Sequence, residues 1–364
     1  MTHRSISTSR RHFIAAAGMT ALAAKASPVF NQRAFEPGFI VAASSDKLTV
    51  YSTRKTAWNP IQVLPSEAPV SLVTDSSTHT LHVLHDVSEY RGLPCGYIES
   101  FRIDTYDGRL KPLSTQPLSL SGIRPGSMAL SPDGKALAVA ITEGAAYNLL
   151  PILEDGRPGR PQAIRKEIGL RGALPSRPSH IAFNRTGDRL FALDQGKATF
   201  SIFSAQSDLP VLSRIILPDS CKLTPFAAYA DLDTLFTIDT ASGALLSIRY
   251  HPVDADLSCQ TQSIHGNFLG PLAIHAASRT LFVIANDGIG IFRMQTETGR
   301  LTQIQHLRDL SLLKETQHLL CDPEQNVLYI ASKNGIFSAS IDPDTGHLSA
   351  LTHVAPAAQR IALL

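Results

Sequence analysis

The stretch that decides the fold is Arg177-Pro-Ser-His-Ile-Ala-Phe-Asn-Arg-Thr-Gly-Asp-Arg-Leu-Phe-Ala-Leu-Asp194. A proline is followed by a short apolar run, a glycine turn at Arg185-Thr-Gly187, and a second run rich in β-forming residues. Glycine supplies the left-handed backbone that a tight hairpin needs, so the pattern predicts two antiparallel strands, Ser179–Asn184 and Arg189–Asp194. Two more strands are predicted further on, at Thr199–Ser204 and near Val211–Leu217. The phrase recurs with its proline at Pro69, Pro125, Pro178, Pro225 and Pro271, and with Thr316 in the proline's place. The intervals are 56, 53, 47, 46 and 45 residues. Units of four short strands at this period are the mark of propeller blades.

Outward from the repeats, the two ends of the chain complement each other. Residues 358–364 have the character of an innermost strand A with nothing after it. Phe39–Ser44 and Lys47–Ser52 read as strands B and C with no A before them. One mixed blade built from both ends brings the count to seven and closes the ring, removing sheet edges that would otherwise invite pairing with other chains. The expected fold is therefore all-β, a seven-bladed β-propeller closed by its N- and C-terminal strands, spanning residues 39–364. No helix-period segment of useful length separates the strands, which argues against an α/β fold.

Ahead of the propeller, Ser9-Arg10-Arg11-His12-Phe13-Ile14 matches a twin-arginine signal. An apolar run from Phe13 to Ala24 follows, ending in the small-x-small site Ala24-Lys25-Ala26. The run is shorter than the roughly 20 apolar residues that span a bilayer. Residues 1–26 are thus expected to be a twin-arginine signal peptide, and residues 27–38 an extension of a mature chain beginning near Ser27. The expected location is the periplasm or the exterior, without a stable membrane anchor.

The 364 residues are 43% hydrophobic and 18% charged, enough to bury a large core, with a formal net charge of +2. Without residues 1–26 the balance is 29 basic against 31 acidic residues, or −2. A body this close to neutral gives no electrostatic basis for binding nucleic acid. Cys95, Cys221, Cys259 and Cys321 form no C-x-x-C pair, and their three pairings stay open. His79, His82 and His85 suggest a metal cluster, but on a strand His82 and His85 point to opposite faces. No Walker loop, G-x-S-x-G or C-x-x-C-H is present. No metal or cofactor is expected.

The sequence resembles the lactonase family of seven-bladed propellers, whose best-known activity is 6-phosphogluconolactone hydrolysis. The residues that carry the resemblance are Ser131-Pro-Asp-Gly-Lys-Ala-Leu-Ala-Val-Ala140, the Arg177–Asp194 stretch with Gln195-Gly196, and the hairpins Thr298-Gly-Arg-Leu301 and Thr345-Gly-His-Leu348. The resemblance implies a small-molecule substrate such as a sugar lactone, and no redox cofactor. Family motifs are altered here. Arg177 and Ser179 fall where the family's P-H-x-H histidines would stand, with His180 one place beyond. Ala140-Ile-Thr142 replaces A-N-Y, and Pro225-Phe-Ala227 replaces P-R-H, with Asp239-Thr240 where an N-E pair would follow.

In a propeller the starts of the A strands and the ends of the B strands meet at one rim. The A starts contribute Arg124, Arg177, His180, His318 and Arg360. The B ends contribute His85, Asp86, Glu143, Asp194, Asp239, Asn286, Asp287 and Lys333. Lactone hydrolysis needs a base for water and a donor facing the developing oxyanion. Asp194, Asp239 and His180 are the expected base elements, and Arg177 or Arg124 the expected clamp. His85, Asp86, Asn286 and His318 are expected to bind substrate. The alternative is structural: Asp at a strand end commonly caps backbone amides, and an arginine before proline can simply bridge blades. A non-catalytic propeller that binds a ligand or protein through the same rim stays open beside the hydrolase. A monomer is expected.

Overall fold

The computed structural model describes residues 38–364 other than 55–56, 168–173, 207, 230–232, 252–255, 263, 265–266, 297, 309–312 and 314. The twin-arginine segment and residues 27–37 of the extension lie outside the described residues. Among the described residues twenty-eight strands pair into seven four-stranded antiparallel sheets, and there is no α-helix. The innermost A strands are Pro69–Asp75, Pro125–Leu130, Pro178–Phe183, Ala227–Tyr229, Phe268–His275, Thr316–Asp322 and Arg360–Leu363. The third blade continues with Arg189–Asp194, Thr199–Ser204 and Val211–Ile216, within a residue or so of the spans predicted for it.

The closing blade is the mixed one. Arg360–Leu363 pairs antiparallel with Phe39–Ala43, with Arg360 opposite Ala43 and Leu363 opposite Ile40. Lys47–Ser52 and Asn59–Pro65 complete it. Trp58, the chain's one tryptophan, packs there between Tyr51 and Tyr329 at ring-centroid distances of 5.9 and 5.4 Å. Its cluster also holds Ile40, Ile336 and Ile361, so the core is continuous from the last blade into the closing one.

The blades' layering explains the sequence pattern. B strands such as Thr280–Ala285 are buried along their whole length, because blades pack against both faces. That is why they read as unbroken apolar runs rather than alternating ones. The outermost strand Val211–Ile216 is mostly exposed. The glycine hairpins between C and D strands lock neighbouring blades together. Gln62 of the closing blade grips Leu110 of the next, donating Nε2 to its carbonyl at 3.0 Å and accepting its N–H at 2.7 Å. Gln305 grips Leu348 in the same way, at 3.1 and 2.8 Å, and Gln262 accepts the Leu301 N–H at 3.1 Å. Each gripped leucine closes an Asp-Gly-Arg-Leu or Thr-Gly-x-Leu hairpin. Its glycine has positive φ, 74° at Gly108 and 70° at Gly346, and each faces a side chain of the neighbouring blade that a Cβ would strike.

Candidate functional site

The seven A strands surround a central channel, and each blade supplies its wall from the start of strand A. In four blades the register slips there by one residue, leaving Val70, Gly126, Ser179 and Gln317 as bulged, unpaired positions. A bulge bends the strand and re-aims its side chains. Beside these bulges lies a cavity of about 240 Å³. Its polar wall includes Ser71, Ser179, His180, Gln317, His318 and Arg360, and its apolar wall includes Phe226 and Leu272. Among the described residues no Asp or Glu lines it, and Arg360 is the one cation that does.

Among the described residues Arg360 is held by backbone carbonyls alone. Nε donates to Val70 O at 3.0 Å, while Nη1 donates to Gln317 O at 3.1 Å and Gln359 O at 2.9 Å. Its charge acts on both histidines. Burial and then the Arg360 charge push His180 down to about 4. The same two causes, with His180 itself third, push His318 down to about 3. Both imidazoles are neutral at pH 7.

Their proton positions follow from their partners. His318 Nδ1 accepts the Ile361 N–H at 3.4 Å, so the proton of the neutral ring sits on Nε2. The Phe226 backbone contact of His180 favours the protonated ring, as only a carbonyl acceptor does. One His180 nitrogen therefore donates to Phe226 and the other keeps a lone pair. The Phe226 ring, edge-on to His180 at 4.6 Å between centroids, holds the imidazole's orientation. One cavity thus presents a base lone pair, an imidazole N–H donor and a guanidinium.

The other rim residues do not converge on it. Asp194, expected as a base, is buried; it accepts the backbone N–H groups of Arg177 at 2.8 Å and Lys197 at 3.1 Å and the hydroxyl of Ser176. Asp239 repeats the arrangement, accepting from Lys222 N at 2.7 Å, Ala241 N at 3.1 Å and Ser242 Oγ at 2.5 Å. Burial would raise its pKa, but these hydrogen bonds outweigh burial and hold the carboxyl below its ordinary range. Neither carboxylate lines the cavity. Both cap the connection into an A strand, which needs an acceptor for its loop amides. Arg177 contributes its backbone N–H to that cap, and its side chain is not part of the cavity wall.

Arg124 pairs with Asp86 at 3.0 Å. Burial, opposed by Arg124 and assisted by Glu143, raises Asp86 above its ordinary value. His85 is fully buried: Nδ1 meets Glu67 O at 2.6 Å, the ring stacks on Tyr97 at 4.1 Å, and Nε2 lies 3.5 Å from Glu99. His82 turns away to Ser100 Oγ at 2.9 Å. Asn286 is exposed, with its backbone N–H donating to Asn267 O at 3.0 Å. The structure thus brings together His180 and His318 from the expected set, and adds Arg360. The sequence placed Arg360 on the rim. Its place in the closing blade is the signal that could have singled it out, since strand pairing drives it into the channel.

The chain belongs to the lactonase family of seven-bladed β-propellers: the family's model matches residues 42–225. Among solved structures, a periplasmic gluconolactonase from Pseudomonas aeruginosa is similar, with 19% identity and a TM-score of 0.73 over 90% of this chain and 98% of that one. A protein from Lactobacillus plantarum shares 14% identity, with a TM-score of 0.74 over 90% and 99%. A proposed 6-phosphogluconolactonase from Bacteroides uniformis shares 16%, with a TM-score of 0.73 over 90% and 99%. At these identities the likeness is one of fold. Among curated proteins none matches the chain.

Proposed function

We propose that the protein hydrolyses a lactone, of the sugar-lactone class, in its central channel, and that it does so after export by the twin-arginine route. The observation that carries this reading is the complementary state of three groups on one cavity wall: a His180 lone pair, the His318 Nε2–H and the Arg360 guanidinium. Family membership and the fold shared with a Pseudomonas gluconolactonase support the same reaction class. The motif Ser9–Ile14 supports export.

In this reading His180 takes a proton from water as the water oxygen bonds to the acyl carbon. The carbonyl oxygen becomes an oxyanion facing His318 Nε2–H and Arg360. Collapse of the tetrahedral species breaks the bond from the acyl carbon to the ring oxygen. That oxygen receives the proton from the His180 imidazolium, giving an open-chain hydroxy acid that ionises in water. Because burial and Arg360 keep His180 neutral, the base is available throughout the neutral range. A cavity wall without carboxylates also suits the second reading, a propeller that binds a ligand without turning it over.

The test is titrimetric hydrolysis of a panel of aldonolactones by the purified chain, with the spontaneous rate subtracted. Turnover lost in His180→Gln while binding persists supports the hydrolase. No turnover on any lactone overturns it in favour of the binding propeller. Export is tested by cell fractionation: replacing Arg10 and Arg11 with lysine should retain the protein in the cytoplasm, and unchanged distribution refutes it.

A further inference from the structure

The channel's charge does not balance. Arg360 carries a full positive charge at any physiological pH. Its three hydrogen bonds go to neutral carbonyls, and among the described residues no carboxylate pairs with it. Several arginines elsewhere in this molecule are matched by carboxylates. Arg165 and Arg214 both meet Glu167, at 3.0 and 2.9 Å, and Arg124 meets Asp86. Arg102 and Arg293, like Arg360, meet backbone carbonyls instead, but of the three only Arg360 lines the channel cavity. Its Nη2 makes no hydrogen bond to a described residue, and the wall around it holds two neutral imidazoles and no acid. A partly buried cation without a counter-charge costs free energy unless an anion from solution supplies one.

We propose that the central channel is an anion receptor, in which the free edge of Arg360 and the Nε2–H of His318 seat the carboxylate of a small open-chain hydroxy acid. That the anion is a hydroxy acid rests on the hydrolase reading, because this is the class of molecule lactone opening releases. The anion site itself rests only on the unpaired charge. Three features select the ligand. A single cation balances a monoanion rather than a phosphate dianion. The volume of about 240 Å³ is below the roughly 300–1,000 Å³ of pockets for drug-sized ligands, so the acid is small. Gln317, at a bulged position, turns a polar side chain onto the same wall, and its carboxamide makes no hydrogen bond to a described residue; with Ser71 and Ser179 it forms a surface for hydroxyl groups. The consequence is that the product of the reaction is held by the group that stabilises its transition state, so turnover slows as product accumulates.

The test is calorimetric titration of the full chain at pH 7 with gluconate, with glucitol as the same polyol lacking the carboxylate, and with inorganic phosphate. Gluconate is expected to bind and to inhibit lactone turnover competitively, while glucitol shows no heat. Arg360→Gln is expected to weaken gluconate about ten- to a hundredfold, the size of a lost charge-assisted pair. Arg360→Lys should retain part of the affinity. Gluconate and glucitol behaving alike, or phosphate binding as tightly as gluconate, overturns the proposal. Should the variants fail to fold, as judged by Trp58 fluorescence, the gluconate–glucitol comparison on the unaltered chain decides alone. Gluconate binding without lactone turnover retains the receptor and sinks the hydrolase. Turnover without gluconate binding does the reverse.

Discussion

Lowering the pH from 7 to 5 should destabilise this propeller by several kcal/mol, and histidines are the reason. Burial pushes His82 down to about 4, and burial with the Arg360 charge pushes His180 to about 4 and His318 to about 3. In the unfolded chain each returns to its ordinary 6.5. A histidine whose folded pKa lies below its unfolded one binds fewer protons when native. Its contribution is whole above pH 6.5 and drains as the pH falls toward the folded value. Integrated from pH 7 to 5, each of the three costs about 1.9 kcal/mol, or about 5.6 kcal/mol together. At pH 5 unfolding should take up about 2.7 protons, a slope of roughly 3.7 kcal/mol per pH unit. Carboxylates held below their ordinary range, such as Asp75, Asp188 and Asp239, titrate beneath this window. Asp86 and Asp233, raised above theirs chiefly by burial, act with the opposite sign and trim the effect. The assay is guanidinium unfolding at pH 7, 6 and 5, followed through Trp58, which reports on closure of the ring because its contacts bridge the last and closing blades. His82→Gln, remote from the cavity wall, should remove about one proton from the uptake at pH 5. Unfolding free energies that agree to within about 1 kcal/mol across the range would refute the reasoning.

Three shorter predictions follow from the same geometry. Gln305→Ala removes both hydrogen bonds to Leu348 and should cost about 1–3 kcal/mol of stability by denaturant titration; a loss below that range would mean the grip between blades is ornamental. Asp194→Asn weakens the cap on Arg177 and Lys197 and should lower stability by about 1–3 kcal/mol while leaving turnover per folded molecule intact; a selective loss of turnover would return Asp194 to the chemistry. His180→Gln should cut turnover about a hundredfold or more. In the unaltered chain the acid limb of the rate profile should fall near pH 4 and not near 6.5. A limb near 6.5 would show that another group serves as base.

The fold was legible because each blade repeats the same chemistry. The turn at Arg185-Thr-Gly187 and the apolar run Leu190-Phe-Ala-Leu193 fix two strands by local physics, and the spacing of the prolines fixes the rest. Even the closing blade was readable, since Phe39–Ala43 needs an inner partner and Arg360–Leu363 needs an outer one. The site was harder. His180 and His318 stood among the candidates, but Asp194 and Asp239 were ranked beside them as chemistry. A carboxylate at a strand end looks the same in sequence whether it faces a channel or a row of loop amides, and here the amides hold it. Arg360 illustrates the opposite difficulty. Nothing next to it in sequence marks it as a site residue; strand pairing across more than three hundred residues puts it there, against the Val70 carbonyl. One-residue bulges at Ser179 and Gln317 decide which side chains enter the channel, and no local motif announces a bulge.

Because the channel's cation sits on the strand that closes the ring, the order of synthesis matters. In chain order Arg360 comes after the six A strands from Pro69–Asp75 through Thr316–Asp322. Until Arg360–Leu363 slots beside Phe39–Ala43, there is neither a closed circle nor a charged channel. An open ring therefore lacks the channel's cation, and binding of an anion by Arg360, as proposed above, would report on the completeness of folding.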